Sequence, residues 1–316
     1  MTGFAWIVHD GAARQIPLEE APGADGDLVW VHLTTNNEHA QQWLDEQAHL
    51  SPFVIEALTA AETRPRCDAV EDGAVINLRG LSSEQLTASD PLASVRIHAR
   101  HGRVFSVTRN PLNAMDRVCA DLAVGEIHDP GDLIAAIADE ITEELDPMVA
   151  KLGDSLDACE TRIGNARAFQ LRRLVNQVRS QAIGYRRFLN PQRAALEKLA
   201  LLPGKWLRDD DRLKLGAAAD RAARMAEELE SIRERAALTH ETLTDLRTEQ
   251  IDQRSLIIAI VAMVFLPLTF VTGLLGMNVA GIPFAHEPWA FWGETLFCVA
   301  IALGVTGYFV GRHWFR

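Results

Sequence analysis

No Asp, Glu, Lys, Arg or His occurs from Ser255 to Ala285, and the stretch from Leu256 to Leu275 is almost continuously apolar. At ~1.5 Å of rise per residue, ~20 such residues cross the ~30 Å hydrocarbon core of a bilayer. The run therefore predicts a membrane-spanning helix over residues 255–277, ending at Leu275-Gly276-Met277-Asn278-Val279.

A second span is expected at 289–311, after a loop at 278–288 too short to form a domain. Trp289 and Trp292 suit an interface belt, and Thr295 to Gly311 is uncharged. A basic tail, residues 312–316, closes the chain. Arg247, Arg254, Arg312 and Arg316 flank the outer ends of the helical pair, and the loop has no Lys or Arg. The positive-inside rule then predicts both termini in the cytoplasm and the loop outside. Two spans per chain cannot enclose a sizeable pore, so conduction would require an oligomer.

Before Arg254 charge is dense, which marks a soluble region joined to a C-terminal membrane anchor. The net charge of −12 disfavours nucleic acid as a partner and suits a protein that gathers cations. Cys67, Cys119, Cys159 and Cys298 show no CxxC spacing, which argues against a zinc knuckle or redox pair. The N-terminus lacks the pattern of a secretory signal, so the soluble region is expected to stay where it is made.

Residues 1–128 read as a cytoplasmic α/β domain. Strands are expected at Phe4 to His9, Leu28 to Leu33, Ala74 to Leu78, Val95 to Ala99 and Val104 to Thr108, and helices at Asn37 to His49, Pro52 to Ala61 and Leu112 to Val124. His98 and His101 form a His-x-x-His pair without further ligands. Glu62-Thr63-Arg64-Pro65-Arg66 and Asn77-Leu78-Arg79-Gly80 place arginines where they could meet carboxylates at a subunit contact. No fixed metal-ligand cluster emerges.

Residues 129–204 read as a long helical hairpin region. Leu133, Ile134, Ile137, Ile141, Leu145 and Met148 recur at helical spacing, with Asp129 or Asp132 as a cap. The spacing continues to about Leu189, with bends expected at Pro147 and Gly164. Asn190-Pro191 is expected to break the helix, a short helix to follow, and Pro203-Gly204 to make a turn.

Residues 205–254 form a cytoplasmic stalk helix continuous with the first span, on the order of 100 Å in all. Met225, Leu229, Ile232, Ala236, Leu243 and Leu246 offer an apolar repeat for neighbouring helices. A second stripe, spaced by seven, runs Glu227, Glu234, Glu241, Thr248, Ser255, Ala262, Thr269 and Gly276, joined by Asp245, Asp252, Ala259, Leu266 and Gly273. It is acidic before the membrane and small or polar within it. Close helix packing and the lining of an aqueous cation path both explain the small positions. Its continuation into mutually repelling carboxylates favours the path.

With Gly276-Met277-Asn278 closing the first of two C-terminal spans after a long stalk, the chain resembles the CorA superfamily of divalent-cation transporters. The surrounding words resemble its ZntB zinc-transporter branch: Phe265-Leu266-Pro267-Leu268-Thr269-Phe270-Val271-Thr272-Gly273, then Val279 and Gly281-Ile282-Pro283, together with the two arginine segments. Ala280 stands where that branch usually has glycine, and the loop after Pro283 is unusual. The resemblance implies a homopentamer in the cell inner membrane with a funnel-shaped cytoplasmic domain, the first span lining the pore and the second facing lipid. It also implies zinc uptake, possibly proton-coupled, with cadmium, nickel and cobalt as further ions; a magnesium, cobalt or nickel channel driven by membrane potential is the nearest alternative. No resident cofactor is expected.

The first span holds no His, Cys, Asp or Glu, so a bare zinc ion would lack its usual ligands there. A hydrated cation is the expected cargo, with Asn278 at the mouth, Thr269 below, Gly273 and Gly276 leaving room, and Leu266 as a constriction. Glu234, Glu241, Asp245 and Asp252 could attract cations, Glu227 being the outermost member of the stripe. Candidates for proton coupling are His286, Glu287, Glu294 and Asp252. A membrane-anchored scaffold without flux is the rival from another class. An enzyme is disfavoured, since no nucleophile-base pair or phosphate loop is present.

Overall fold

In the computed structural model the chain is described over residues 2–34, 37–61, 64–70, 73–83, 92–163, 168–279, 281–282, 284 and 286–311. Glu62, Thr63, Gly164, Ala280, Pro283 and the basic tail 312–316 lie outside the described residues. The chain divides into two compact units, Met1–His240 and Glu241–Arg316.

In the first unit, seven strands form one sheet in the order β2-β1-β3-β7-β6-β5-β4. They are β1 (Thr2–His9), β2 (Ala12–Ile16), β3 (Leu28–Thr34), β4 (Arg66–Val70), β5 (Gly73–Leu81), β6 (Leu92–Arg100) and β7 (Arg103–Thr108). β3 and β7 run parallel, and the other neighbours are antiparallel. The five anticipated strands are present. β2 and β4 are additions, both at sheet edges. β2 carries few residues of high strand propensity, and it pairs with β1 through Asp10-Gly11, whose φ values of 50° and 76° suit the tight turn that a right-twisted hairpin needs.

α1 (Asn37–Glu46) and α2 (Pro52–Thr59) pack Leu44, Val54, Ile55 and Leu58 against Val29, Val31, Leu33, Phe105 and Val107. Alternation along β5 puts Gly80 on the side opposite Val75, a member of that core. A Cβ at Gly80 would stand 2.9 Å from Ile141 Cγ1, so the glycine lets a helix lie directly on the strand. That helix is α4 (Pro130–Glu160), which follows α3 (Asn113–Val124). Asp129 caps α4, its Oδ1 accepting from the Asp132 backbone N–H at 3.0 Å.

Two expectations about the long helices change. α4 passes through Pro147 but ends at Glu160, so the apolar spacing from Leu133 to Leu189 belongs to two helices. The second, α5 (Ala168–Ala200), runs through Asn190-Pro191 where a break was expected. Pro191 removes one backbone donor, yet Leu189, Gln192, Ala195, Leu196 and Leu199 around it are all buried. Tertiary burial on both sides outweighs that lost hydrogen bond.

The chain turns after Pro203-Gly204 and enters α6 (Asp209–Leu275), four residues later than the stalk expected from residue 205. Within the first unit α6 buries Met225, Leu229, Ile232 and Ala236. Arg221 Nη1 donates to Asp139 Oδ1 at 2.8 Å and Thr142 Oγ1 at 2.7 Å. Arg235 bridges Asp157 and Glu160, the latter at 2.6 Å, and Arg186 of α5 meets Glu230 at 3.1 Å. Met225, Leu229, Ile232 and Ala236, four members of the apolar repeat, are thus buried within the first unit, where these ion pairs tie α6 to α4 and α5.

Arg79 is likewise buried inside the chain: its Nη2 donates to Leu92 O at 2.6 Å and its guanidinium lies 3.8 Å from the centre of the Phe188 ring. This corrects the subunit-contact reading for that arginine. His98 is buried and stacked on Phe105, whereas His101 is exposed in the β6–β7 turn. The two therefore do not form a metal pair. Burial lowers the His98 pKa to about 4, and His32, enclosed beside Phe4 and Ser106, is lowered to about 4 for the same reason.

The second unit holds the end of α6 and α7 (Ala290–Gly311), which among the described residues are the two helices long and apolar enough to cross a membrane. Ile260, Val264 and Phe309 are buried there, while Ile257, Ile258, Val261, Phe265 and Phe270 are exposed.

Candidate functional site

The seven-residue stripe lies on one uninterrupted helix, α6, although Pro267 stands within it. In the first unit Glu227 and Glu234 are exposed; in the second, Glu241, Asp245, Thr248, Asp252, Ser255, Ala259, Ala262, Leu266, Thr269 and Gly273 are exposed as well. Leu266, at 74 % exposure, is the large apolar member of the stripe.

Pro267 has no N–H, so the Met263 carbonyl loses its partner four residues on. Two hydroxyls follow within one turn. Thr269 Oγ1 donates to Phe265 O at 2.7 Å, and Thr272 Oγ1 donates to Leu268 O at 2.9 Å. With its proton committed to the backbone, each of these hydroxyls has only lone pairs left to offer.

α6 terminates at Leu275, where Gly276 N–H donates to Thr272 O at 2.9 Å and Met277 N–H reaches Leu274 O at 3.5 Å. Gly276, Met277 and Asn278 are all exposed, and the last turn carries no basic residue. A helix end gathers unsatisfied carbonyls and a partial negative charge, which favour a cation.

Of the candidates for proton coupling, His286 and Glu287 are exposed in the turn before α7. Glu294 is half-buried on α7, where its Oε1 accepts from the Cys298 thiol at 3.5 Å.

A group of carboxylates that the sequence reading missed lies in the first unit. One oxygen from each of Asp129, Asp132 and Asp211 falls within 4.8 Å of the others. Burial, with the Asp129 and Asp132 charges behind it, raises the Asp211 carboxyl to about 6 against the opposing pull of the Arg208 backbone N–H. The sequence signals were the cap at Asp129 or Asp132 and the unremarked run Asp209-Asp210-Asp211, 77 or more positions further on.

With this geometry in place, relatives decide the family. Residues 25–312 match the family described as CorA-like Mg2+ transporter protein. The chain belongs to the CorA-like family. The "Divalent cation transporter CmaX" of Pseudomonas aeruginosa is 33% identical over 87% of this chain and 84% of its own length. The "Zinc transport protein ZntB" of Cronobacter sakazakii is 30% identical over 98% of this chain and 95% of its own. The solved structure of full-length CmaX superposes with a TM-score of 0.80 at 30% identity, covering 98% of this chain and 96% of that one. This CorA-like chain therefore shares with its relatives the soluble α/β region, the long helix and the two C-terminal spans.

Proposed function

We propose that this CorA-like divalent-cation transporter takes up zinc through a path lined by the first span of five identical copies. The carrying observation is the exposed face of α6, which passes from Glu227, Glu234, Glu241, Asp245 and Asp252 into small and hydroxyl-bearing positions and ends at Gly276-Met277-Asn278. Carboxylates concentrate cations; the small positions leave space for an ion with its water shell.

The polar groups on that face are acceptors. Waters bound to a dication point their hydrogens outward, so they donate to Thr269 Oγ1, the Asn278 side-chain oxygen and the carbonyls at the end of α6. Gly273 and Gly276 widen the path, and Leu266 narrows it within the span, on the carboxylate side of Thr269. Zinc passes hydrated because the span has no His, Cys, Asp or Glu to replace its waters. Zinc is favoured over magnesium, cobalt and nickel by the zinc transport proteins that align with this chain over nearly its whole length.

The protein sits in the inner membrane with both termini in the cytoplasm, a placement supported by Arg247 and Arg254 beside the first span and by the lack of Lys and Arg in the 278–288 loop. A proton gradient assists uptake through His286, Glu287, Glu294 or Asp252.

Reconstitution into liposomes tests this reading, with zinc and magnesium flux compared while pH and voltage are varied separately. Zinc entry that exceeds magnesium entry and rises with an inward proton gradient is expected. Magnesium flux set by voltage alone would establish the channel alternative, and no flux of either ion would establish a scaffold.

A further inference from the structure

We propose, on the reading of the acidic α6 stripe as the approach to a cation path, that Arg179 of α5 is a tuning counter-charge. It competes with cations for Glu234 and so sets how tightly the stripe holds them.

The charge is supplied by the sequence. From Thr161 to Leu196 there are eight arginines and no Asp, Glu, Lys or His, in a chain whose net charge is −12. Four of them, Arg172, Arg179, Arg186 and Arg193, recur every seven residues. Seven residues make almost two turns, so the four share one flank of α5, with a drift of about 20° per step. Glu227 and Glu234 repeat at the same interval on α6.

Two rungs fix how these helices face each other. Arg186 Nε meets Glu230 at 3.1 Å. Seven residues further along α5, Arg193 binds Glu197 at 2.7 Å; that hydrogen bond raises its pKa most, and the Glu227 and Asp220 charges on α6 raise it further. Later residues of α5 therefore meet earlier residues of α6, and the two helices run antiparallel. The next rung in the other direction brings Arg179 level with Ala237. Glu234 stands within one turn of it, on the flank that carries Glu227. Arg179 and Glu234 both belong to the first unit.

Arg179 is engaged in no other ion pair among the described residues. It is half-buried, and its Nε has no hydrogen-bond partner. A partly buried guanidinium draws a counter-ion, since arginine does not shed its proton to escape desolvation. Glu234 is exposed and has Arg233 Nη2 at 3.8 Å, but that guanidinium is committed to Glu230 through bonds of 2.6 and 2.8 Å. Pairing with Arg179 takes one carboxylate away from the cation-gathering face. Arg186 and Arg193 close instead on Glu230 and Glu197, which lie outside the stripe, and leave it untouched.

The test uses the full chain. In liposomes at low ionic strength, Arg179→Gln should lower the zinc concentration for half-maximal uptake by about threefold, the worth of one exposed ion pair. Arg179→Lys keeps the charge and should match wild type, and high salt should erase the difference. The effect of Arg179→Gln should also vanish in a Glu234→Gln background. An unchanged half-saturation in Arg179→Gln, or the same shift with and without Glu234, would overturn the proposal. A wild type that carries no zinc would instead remove the transport reading, and the pairing is then decided in detergent. There, with manganese as the divalent probe and free Mn2+ read by electron paramagnetic resonance, Arg179→Gln should tighten Mn2+ binding by a similar factor only where Glu234 is present. Equal Mn2+ affinity in wild type and Arg179→Gln would sink the pairing itself.

Discussion

Gln192 Oε1 accepts the backbone N–H of Arg79 at 2.7 Å, joining α5 to β5 across 113 positions of sequence. One helical turn earlier, Phe188 lies beneath the Arg79 guanidinium at 3.8 Å. Both contacts come from the stretch of α5 that surrounds Pro191, so the proline-containing turn is where this helix docks on the sheet.

Replacing Gln192 with leucine should therefore cost about 1–3 kcal/mol, because a buried backbone donor loses its acceptor. Thermal or urea unfolding of the purified protein measures it. A loss below ~0.5 kcal/mol would show that water or a shifted neighbour replaces the amide.

Acid should weaken the soluble unit through its buried histidines. His32 and His98 titrate near 4 in the folded chain against 6.5 for the free side chain, because burial disfavours the imidazolium; Arg100 adds to this at His98. The unfolded state takes up protons first as pH falls, so stability is full above about 6.5 and is lost progressively towards 4. At one pH unit below the unfolded value the loss is about 1.4 kcal/mol per histidine. A His32→Gln/His98→Gln double variant should flatten the pH dependence of the unfolding midpoint over this window.

At the mouth and in the span, Asn278→Ala and Thr269→Val should each reduce zinc flux in liposomes by roughly tenfold, the equivalent of about one hydrogen bond to the hydrated ion. Thr269→Ser keeps the oxygen and should stay within about twofold of wild type. Gly273→Leu should block flux by filling the path. Wild-type flux from Gly273→Leu would assign the small positions to helix packing.

Neutralising Glu227, Glu234, Glu241, Asp245 and Asp252 together should lower flux by about tenfold at low ionic strength and much less at high salt, where screening already removes their field. A salt dependence identical to wild type would make them a solvated helix face.

Much of the molecule was legible without coordinates. The uncharged run, the stripe and the helix end at Leu275 are written in local composition and spacing, and the words around Gly276-Met277-Asn278 pointed to the family that the relatives establish. Asp10-Gly11 was a readable hairpin signal that passed unused, and β2 was missed with it. β4 was missed for a different reason: Arg66–Val70 is a short edge strand whose partner defines it.

What sequence alone determined, then, is whatever depends on neighbours within a few residues: the spans, the acidic-to-small change along α6, and a helix start capped by Asp129 or Asp132. Tertiary structure decided the passage of α5 through Pro191, the burial of Arg79 against Phe188 and Gln192, and the meeting of Asp211 with Asp129 and Asp132. Propensity and periodicity describe one element at a time. These contacts join residues about 80 to 113 positions apart, and their energy appears only when folding closes the intervening chain and removes water from both partners.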